Sequence, residues 1–280
     1  MAQSEARVPV VAAAGATIPA IGLGTWQLRG ESCAQMVEAA LRGGYTHVDT
    51  AQGYSNEEEV GEGLSSSGVE RQKVFLTTKV RTDKMADGEL QRSVEESLRK
   101  LRVDHVDLLL LHWPNPLIPL ADSIRALNQV KREGLARHIG LSNFTAARLD
   151  EAWRLTKEPL VAEQIEYHPY LEQRTMLGAL RAREMAIIAY CPIALGKVMG
   201  DPVIEAIAKA NGRSAAQVTL RWIVQQGLVA IPKTSKVERL SENLAVFDFA
   251  LSEAEMARMS ALTRPDSRLV NEPQWVPEWD

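Results

Sequence analysis

Short apolar runs alternate with helix-length stretches eight times along this chain, and no other feature restricts its fold as much. Strands are expected near 21–24, 46–50, 74–79, 106–112, 137–142, 161–166, 186–191 and 228–232. Each is short, bulky or β-branched, and followed by a helical pattern. Helices are expected near 31–43, 56–67, 87–102, 120–133, 145–156, 174–184, 201–211, 214–226, 236–246 and 252–262. The polar residues that close successive strands, Asp49, Lys79, His112, Asn143, Gln164, Tyr190 and Lys233, are spaced by 30, 33, 31, 21, 26 and 43 positions. That is the period of a βα unit, with an extra helix in the last gap. Eight right-handed units close most naturally into an α/β (β/α)8 TIM barrel, with a doubly wound open sheet as the structural alternative.

Two further segments frame the barrel. Val8–Val11 and Thr17–Pro19, joined by an Ala/Gly turn, read as an N-terminal β-hairpin that plugs one end. The stretch after Thr263 is rich in proline and tryptophan without helix period, and is expected to fold over the barrel mouth.

With 280 residues and 45% hydrophobic content, residues 1–280 suit a single barrel domain. A net charge of −4, with both signs interspersed, gives no basic face for nucleic acid. Every apolar run is strand-length, too short to cross a bilayer. Met1–Ala16 loosely imitates a signal cleavage region but carries Glu5. Cys33 and Cys191 are too few and too isolated for a disulfide framework. A soluble, cytoplasmic protein is expected. His47, His105, His112, His138 and His168 show no metal-ligand spacing, so no metal is expected.

In a parallel sheet all strands end on one side, so residues far apart in sequence meet there. Alone, Asp49 could cap a helix, Tyr54 pack as an aromatic, Lys79 sit in solvent and His112 be a core histidine. Together they form a proton-donating set. A phenol with a pKa near about 10 is a poor acid at neutral pH. A neighbouring ammonium lowers that value, and a carboxylate keeps the ammonium charged and placed. His112 adds a donor that can orient a carbonyl oxygen.

Seven segments occur in the order and spacing of the aldo-keto reductases, and the chain resembles that family over nearly its whole length. They are Gly22–Trp26, Asp49–Tyr54, Leu76–Lys79, Leu111–Pro114, Gly140–Phe144, Gln164–Tyr170 and Ile231–Thr234. The tail Arg268–Val270, the ending Pro277–Asp280 and short loops after His112 and Tyr190 are most similar to bacterial 2,5-diketo-D-gluconate reductases. The resemblance implies that Tyr54 is the general acid, that Lys79 lowers its pKa, that Asp49 pairs with Lys79, and that His112 positions the carbonyl.

A carbonyl reductase needs a hydride source, yet Gly22-Leu23-Gly24 is too short for a dinucleotide fingerprint. Lys233, Thr234, Ser235, Lys236 and Arg239 gather instead at a helix start after the last strand, where such barrels often bind phosphate. The resemblance implies that Lys233, Thr234 and Arg239 hold a 2′-phosphate and that Glu242 and Asn243 hold adenine, favouring NADPH over NADH. It places Ser142, Asn143 and Gln164 on the nicotinamide carboxamide, Tyr190 under its ring, and Pro192, Leu195 and Lys197 near the pyrophosphate. Gly24, Thr25, Trp26, Asp49, Ile231, Pro232 and Ser235 complete the expected cofactor site.

Trp26, Tyr54, Arg81, His112, Trp113 and Trp275 are the expected substrate contacts, with Trp279 a further aromatic of the tail. Arg81 stands where many relatives carry a tryptophan. It could meet a substrate carboxylate or simply be an exposed loop residue. Glu163 is a second departure, to which no functional change is attached. The expected activity is NADPH-dependent reduction of aldehydes or ketones, with 2,5-diketo-D-gluconate or similar small dicarbonyls preferred. A general aldehyde or methylglyoxal reductase is the alternative. A non-catalytic NADPH-binding protein and a metal-dependent barrel hydrolase are weaker alternatives. A monomer is expected.

Overall fold

The computed structural model describes residues 8–272 and 274–280. The leader-like stretch up to Arg7 lies outside the described residues. The first two strands, β1 (Val10–Ala13) and β2 (Ala16–Pro19), pair antiparallel as the expected hairpin. Its turn works because Ala14 and Gly15 both take positive φ, at 43° and 87°, the backbone twist a two-residue hairpin requires.

Eight parallel strands follow in sequence order: β3 (Leu23–Gly24), β4 (His47–Asp49), β5 (Phe75–Val80), β6 (Val106–Leu111), β7 (Ala136–Ser142), β8 (Leu160–Glu166), β9 (Ala186–Tyr190) and β10 (Val229–Ala230). Bridges from Ile21 to Ala230 and from Gly24 to Lys233 join the first of these to the last, giving the (β/α)8 barrel. The closure is tight: a Cβ at Gly24 would lie 2.8 Å from the Ile231 carbonyl oxygen, so only glycine fits. The helices are α1 (Gly30–Arg42), α2 (Glu57–Ser66), α3 (Glu89–Leu101), α4 (Leu120–Arg132), α5 (Ala146–Leu155), α6 (Arg174–Arg181), α7 (Pro202–Asn211), α8 (Ala215–Gln225), α9 (Glu238–Leu244) and α10 (Glu253–Ser260). α7 and α8 both fall between β9 and β10, which accounts for the long last spacing. Local chemistry starts several of them. Asp201 caps the Val203 and Ile204 amides ahead of Pro202, and Ser214 and Ser252 form capping boxes with Gln217 and Glu255.

Two apolar layers hold the barrel. The larger lies between sheet and helices and includes Leu76, Leu109, Leu111, Leu141 and Ile187. The smaller fills the interior, where Leu108, Leu110, Ile188 and Val229 pack on Ala13, Ala16 and Ile18 of the hairpin. The hairpin is thus the plug of one barrel end. Truncating an interior leucine such as Leu110 would cost about 2–5 kcal/mol. Among the described residues no helix is long and apolar enough to cross a membrane.

Candidate active site

Strand register brings Asp49, Lys79 and His112 to one barrel end. Gly24 pairs with Asp49, Asp49 with Thr77, and Lys79 with Leu110, so adjacent strands finish side by side. Tyr54 arrives differently, on a 3-10 turn (Gln52–Tyr54) just past β4.

Lys79 and Asp49 are about 1% exposed. The Lys79 Nζ donates to Asp49 Oδ1 at 2.6 Å, to the Thr50 carbonyl at 2.9 Å and to the Tyr54 hydroxyl oxygen at 3.2 Å. Three donors meet three acceptors. A buried ion pair is tolerable only when its remaining polar atoms are also satisfied, and Asp49 Oδ2 accepts from Gln164 Nε2 at 2.7 Å. Thr25, fully buried, donates its hydroxyl to the Asp49 carbonyl.

Burial opposes charge on Lys79, yet Asp49 and Tyr54 hold its pKa above the ordinary lysine value. Tyr54 behaves less simply than the sequence suggests. Burial pushes its phenol above the usual value, and the Lys79 ammonium opposes that without overcoming it. Because Lys79 donates to the phenol oxygen, the phenol proton is free to point toward the mouth. His112 lies edge-on to Tyr54, with ring centroids 5.7 Å apart. Burial and the Lys79 charge pull its pKa down to about 3, so at neutral pH it is an uncharged donor.

Asn143 takes the left-handed conformation at φ 62°. Its Nδ2 donates to the His112 carbonyl and to Ser142 Oγ, and its Oδ1 accepts the Tyr190 hydroxyl at 2.6 Å. The sequence-predicted Ser142, Asn143, Gln164 and Tyr190 thus meet beside the tetrad. The loop after β9 is strained. Cys191, Ala194 and Leu195 all take positive φ, a cost of the kind that clusters at functional sites. Pro192 is buried, whereas Leu195 and Lys197 are exposed.

On the far side of β10, Ile231, Pro232 and Thr234 are buried, and the Thr234 hydroxyl shapes the turn by accepting from the Lys236 amide. Lys233 is half-buried, while Ser235, Lys236, Arg239 and Glu242 are exposed. Among the described residues Lys197, Lys233, Lys236 and Arg239 make no ion pair. Asn243 is buried.

Two of the expected substrate residues carry further contacts. Arg81 is exposed and forks onto Asp83, with contacts of 3.0 and 2.8 Å, so its guanidinium already has a carboxylate. The sequence places Asp83 only two residues away, close enough to capture it. Of the tail tryptophans, Trp279 meets Trp113 at the mouth. Its ring lies 6.0 Å from that of Trp113 and carries the Arg268 guanidinium 3.5 Å from its centroid. The Trp275 backbone amide bonds to the Glu272 carbonyl, and its side chain is half-buried. Trp26 stands 38% exposed at the rim.

Sequence reasoning missed Glu166. This fully buried carboxylate at the end of β8 accepts the Leu269 and Val270 amides at 2.7 and 2.9 Å, tying the tail across the mouth. It also missed Gln52 and Asn56, whose polarity beside Tyr54 was the available signal. Among the described residues no group of three potential ligands could hold a metal ion.

Known proteins share this architecture. Residues 20–264 match the model of the Aldo/keto reductase family. Morphine 6-dehydrogenase of Pseudomonas putida is 41% identical over 266 residues, 89% of this chain and 88% of that protein. Methylglyoxal reductase DkgB of Salmonella typhi is 38% identical over 267 residues, 94% of this chain and all of that protein. Among solved structures, a protein described as a candidate 2,5-diketo-D-gluconic acid reductase B superposes with a TM-score of 0.96 at 48% identity, covering 99% of both chains. A Bombyx mori aldo-keto reductase in complex with NADP superposes at 0.89 with 29% identity, covering 98% of both. The family model and the two enzymes, matched over most of their length, identify this chain as a member of the aldo/keto reductase family.

Proposed function

We propose that this protein is an NADPH-dependent carbonyl reductase acting on small polar dicarbonyls of the 2,5-diketo-D-gluconate kind. The observation that carries the chemistry is the three-way hydrogen bonding of Lys79 to Asp49, Thr50 and Tyr54. The residues present fit the cofactor. Lys233, Lys236 and Arg239, which make no ion pair among the described residues, suit a 2′-phosphate and Thr234 offers a hydroxyl, while Ser142, Asn143 and Gln164 suit a carboxamide and Tyr190 a ring face. Glu242 and Asn243 are the residues that would hold adenine. When bound, NADPH supplies the hydride.

The chain's own residues do the rest. His112, neutral, donates to the carbonyl oxygen and aligns it with the Tyr54 hydroxyl. As negative charge grows on that oxygen, Tyr54 gives up its proton, and the Lys79 ammonium 3.2 Å away stabilises the phenolate left behind. Asp49 keeps the ammonium charged and in place. Trp113 and Trp279 wall the mouth, and the buried site limits water near the developing charge.

The similarity to a candidate diketogluconate reductase supports the substrate class. The similarity to a methylglyoxal reductase favours a second reading, a general aldehyde reductase. NADPH consumption by the purified protein with 2,5-diketo-D-gluconate, methylglyoxal and an aromatic aldehyde separates the two. The expected result is a kcat/KM at least about tenfold higher for the diketo acid, a difference of ~1.4 kcal/mol in transition-state binding. Preference for the aldehydes would establish the second reading.

A further inference from the structure

Tyr54 is carried by a turn, so its distance from Lys79 is not set by strand pairing. Among the described residues the only hydrogen bond of its side chain is the one from Lys79. Two neighbours hold the turn from opposite sides. Asn56, fully buried, donates to the Thr25 and Leu28 carbonyls at 2.9 and 3.1 Å and accepts from the Thr50 hydroxyl at 2.9 Å, which secures the side facing the β3–α1 loop.

Gln52 secures the other side. Its Oε1 accepts from the Arg81 amide at 2.8 Å, and its Nε2 donates to the Ser93 carbonyl, the Ser93 hydroxyl and the Ser97 hydroxyl at 3.1, 3.2 and 3.0 Å. A backbone N–H can only donate and a backbone carbonyl can only accept, so these partners fix which way the amide points. Arg81 leaves the strand two residues after Lys79. The Ser97 hydroxyl in turn donates to Glu57 Oε2 at 3.2 Å, and Glu57 Oε1 accepts from Thr78 at 2.7 Å, the residue before Lys79. The hydrogen bonds therefore close a ring from the tyrosine turn through α3 and α2 to β5 and back. Beside this ring lies a cavity of about 350 Å³ lined by Gln52, Glu57, Arg81, Ser93 and Ser97 among others. A turn released from the ring has room to move.

We propose that Gln52 is a positioning residue for the proton donor, holding the turn that carries Tyr54 at a fixed distance from the strand that carries Lys79. This rests on the reading of Tyr54 as the acid. Misplacing a reacting group by about 1 Å costs up to roughly a hundredfold in rate. The role is separable from substrate and cofactor binding, because Gln52 bonds to neither the Lys233–Arg239 loop nor Trp113.

Gln52→Met keeps the side-chain length and removes every hydrogen bond. Gln52→Glu keeps the acceptor for the Arg81 amide. In Gln52→Met, kcat should fall about tenfold to a hundredfold while the carbonyl KM and the NADPH Kd stay within about twofold. The Cζ NMR resonance of carbon-labelled Tyr54, assigned by its loss in Tyr54→Phe, should shift as the Lys79 hydrogen bond lengthens. Gln52→Glu, which keeps the Arg81 bond but sets a second acceptor against the Ser93 carbonyl 3.1 Å away, should recover only part of the lost kcat. An unmoved Tyr54 resonance in Gln52→Met, or a fall in kcat matched by an equal loss of NADPH affinity, would overturn the proposal. Should the wild-type protein reduce no carbonyl, the catalytic reading fails separately, and the resonance alone still decides whether Gln52 holds the turn.

Discussion

The tetrad and the Lys233–Arg239 loop lie at the same barrel mouth and treat charge in opposite ways. Lys79 and Asp49 are sealed from water, and each charged atom has a partner inside the protein. Lys236 and Arg239 are exposed, and no carboxylate answers them among the described residues. The difference follows from task. A group that must move a proton works best when its surroundings are already arranged, because little reorganises during the reaction. Cations that must capture an anion from solution gain most when no internal partner competes for them. Glu163 supplies a third case: a fully buried carboxyl with no cation, its Oε1 accepting the Phe144 amide at 2.9 Å.

Breaking the sealed side should have the largest effect. Lys79→Met leaves Asp49 buried without its counter-charge, which costs about 3–5 kcal/mol. It also removes the cation that stabilises the Tyr54 phenolate, so kcat should fall by at least about a hundredfold. Denaturant titration and steady-state turnover measure the two losses. Near-wild-type stability would show that the pair does not hold the strand ends together.

The open side should respond without loss of fold. Replacing both Lys233 and Arg239 by alanine should weaken NADPH binding about tenfold to a hundredfold, leave NADH nearly unchanged, and shift stability by no more than about 0.5 kcal/mol. Fluorescence titration with the two nucleotides reads this directly. Equal losses for both would remove the 2′-phosphate from that loop.

The smallest effect belongs to Glu163→Gln. Burial raises the Glu163 pKa well above the ordinary value, the Phe144 amide opposes it in part, and the nearby Asp280 carboxylate adds a smaller push upward. In the unfolded chain this carboxyl ionises near pH 4.5, whereas folding makes it hold its proton to higher pH. Its stabilising contribution is therefore complete below about pH 4.5 and is lost as pH rises, by up to about 1.4 kcal/mol per unit. Glutamine keeps the acceptor for Phe144 and does not titrate. The variant should gain stability relative to wild type as pH rises above about 4.5. Parallel stability curves would mean that Glu163 ionises normally in the fold.

How far the sequence revealed these regions depends on what places each residue. Asp49, Lys79 and His112 end strands, so periodicity alone put them together. The strands themselves were legible because buried parallel strands are short apolar runs. The first and last strands, with β4, shortened most: β3 and β10 contract to Leu23–Gly24 and Val229–Ala230 and β4 to His47–Asp49, and the closure is completed by the single bridges of Ile21 and Lys233. What escaped notice was held by side-chain partners far away in the chain. Glu166 meets amides 103 and 104 residues on, and Gln52 meets Ser93 across 41. No local pattern announces such pairings. The contact of Trp279 with Trp113 was equally illegible, because a tail without periodicity gives no clue to which long-range contacts its tryptophans make.

The most direct test of the account compares Tyr54→Phe with the wild-type protein in two assays on the same preparations, NADPH binding and NADPH-dependent carbonyl reduction. Removing one hydroxyl, whose only hydrogen bond among the described residues is from Lys79, should leave the NADPH Kd within about twofold and lower kcat by about a hundredfold to ten-thousandfold. Wild-type turnover in Tyr54→Phe would contradict the assignment of Tyr54 as the acid, and with it the proton-donating role of the whole cluster.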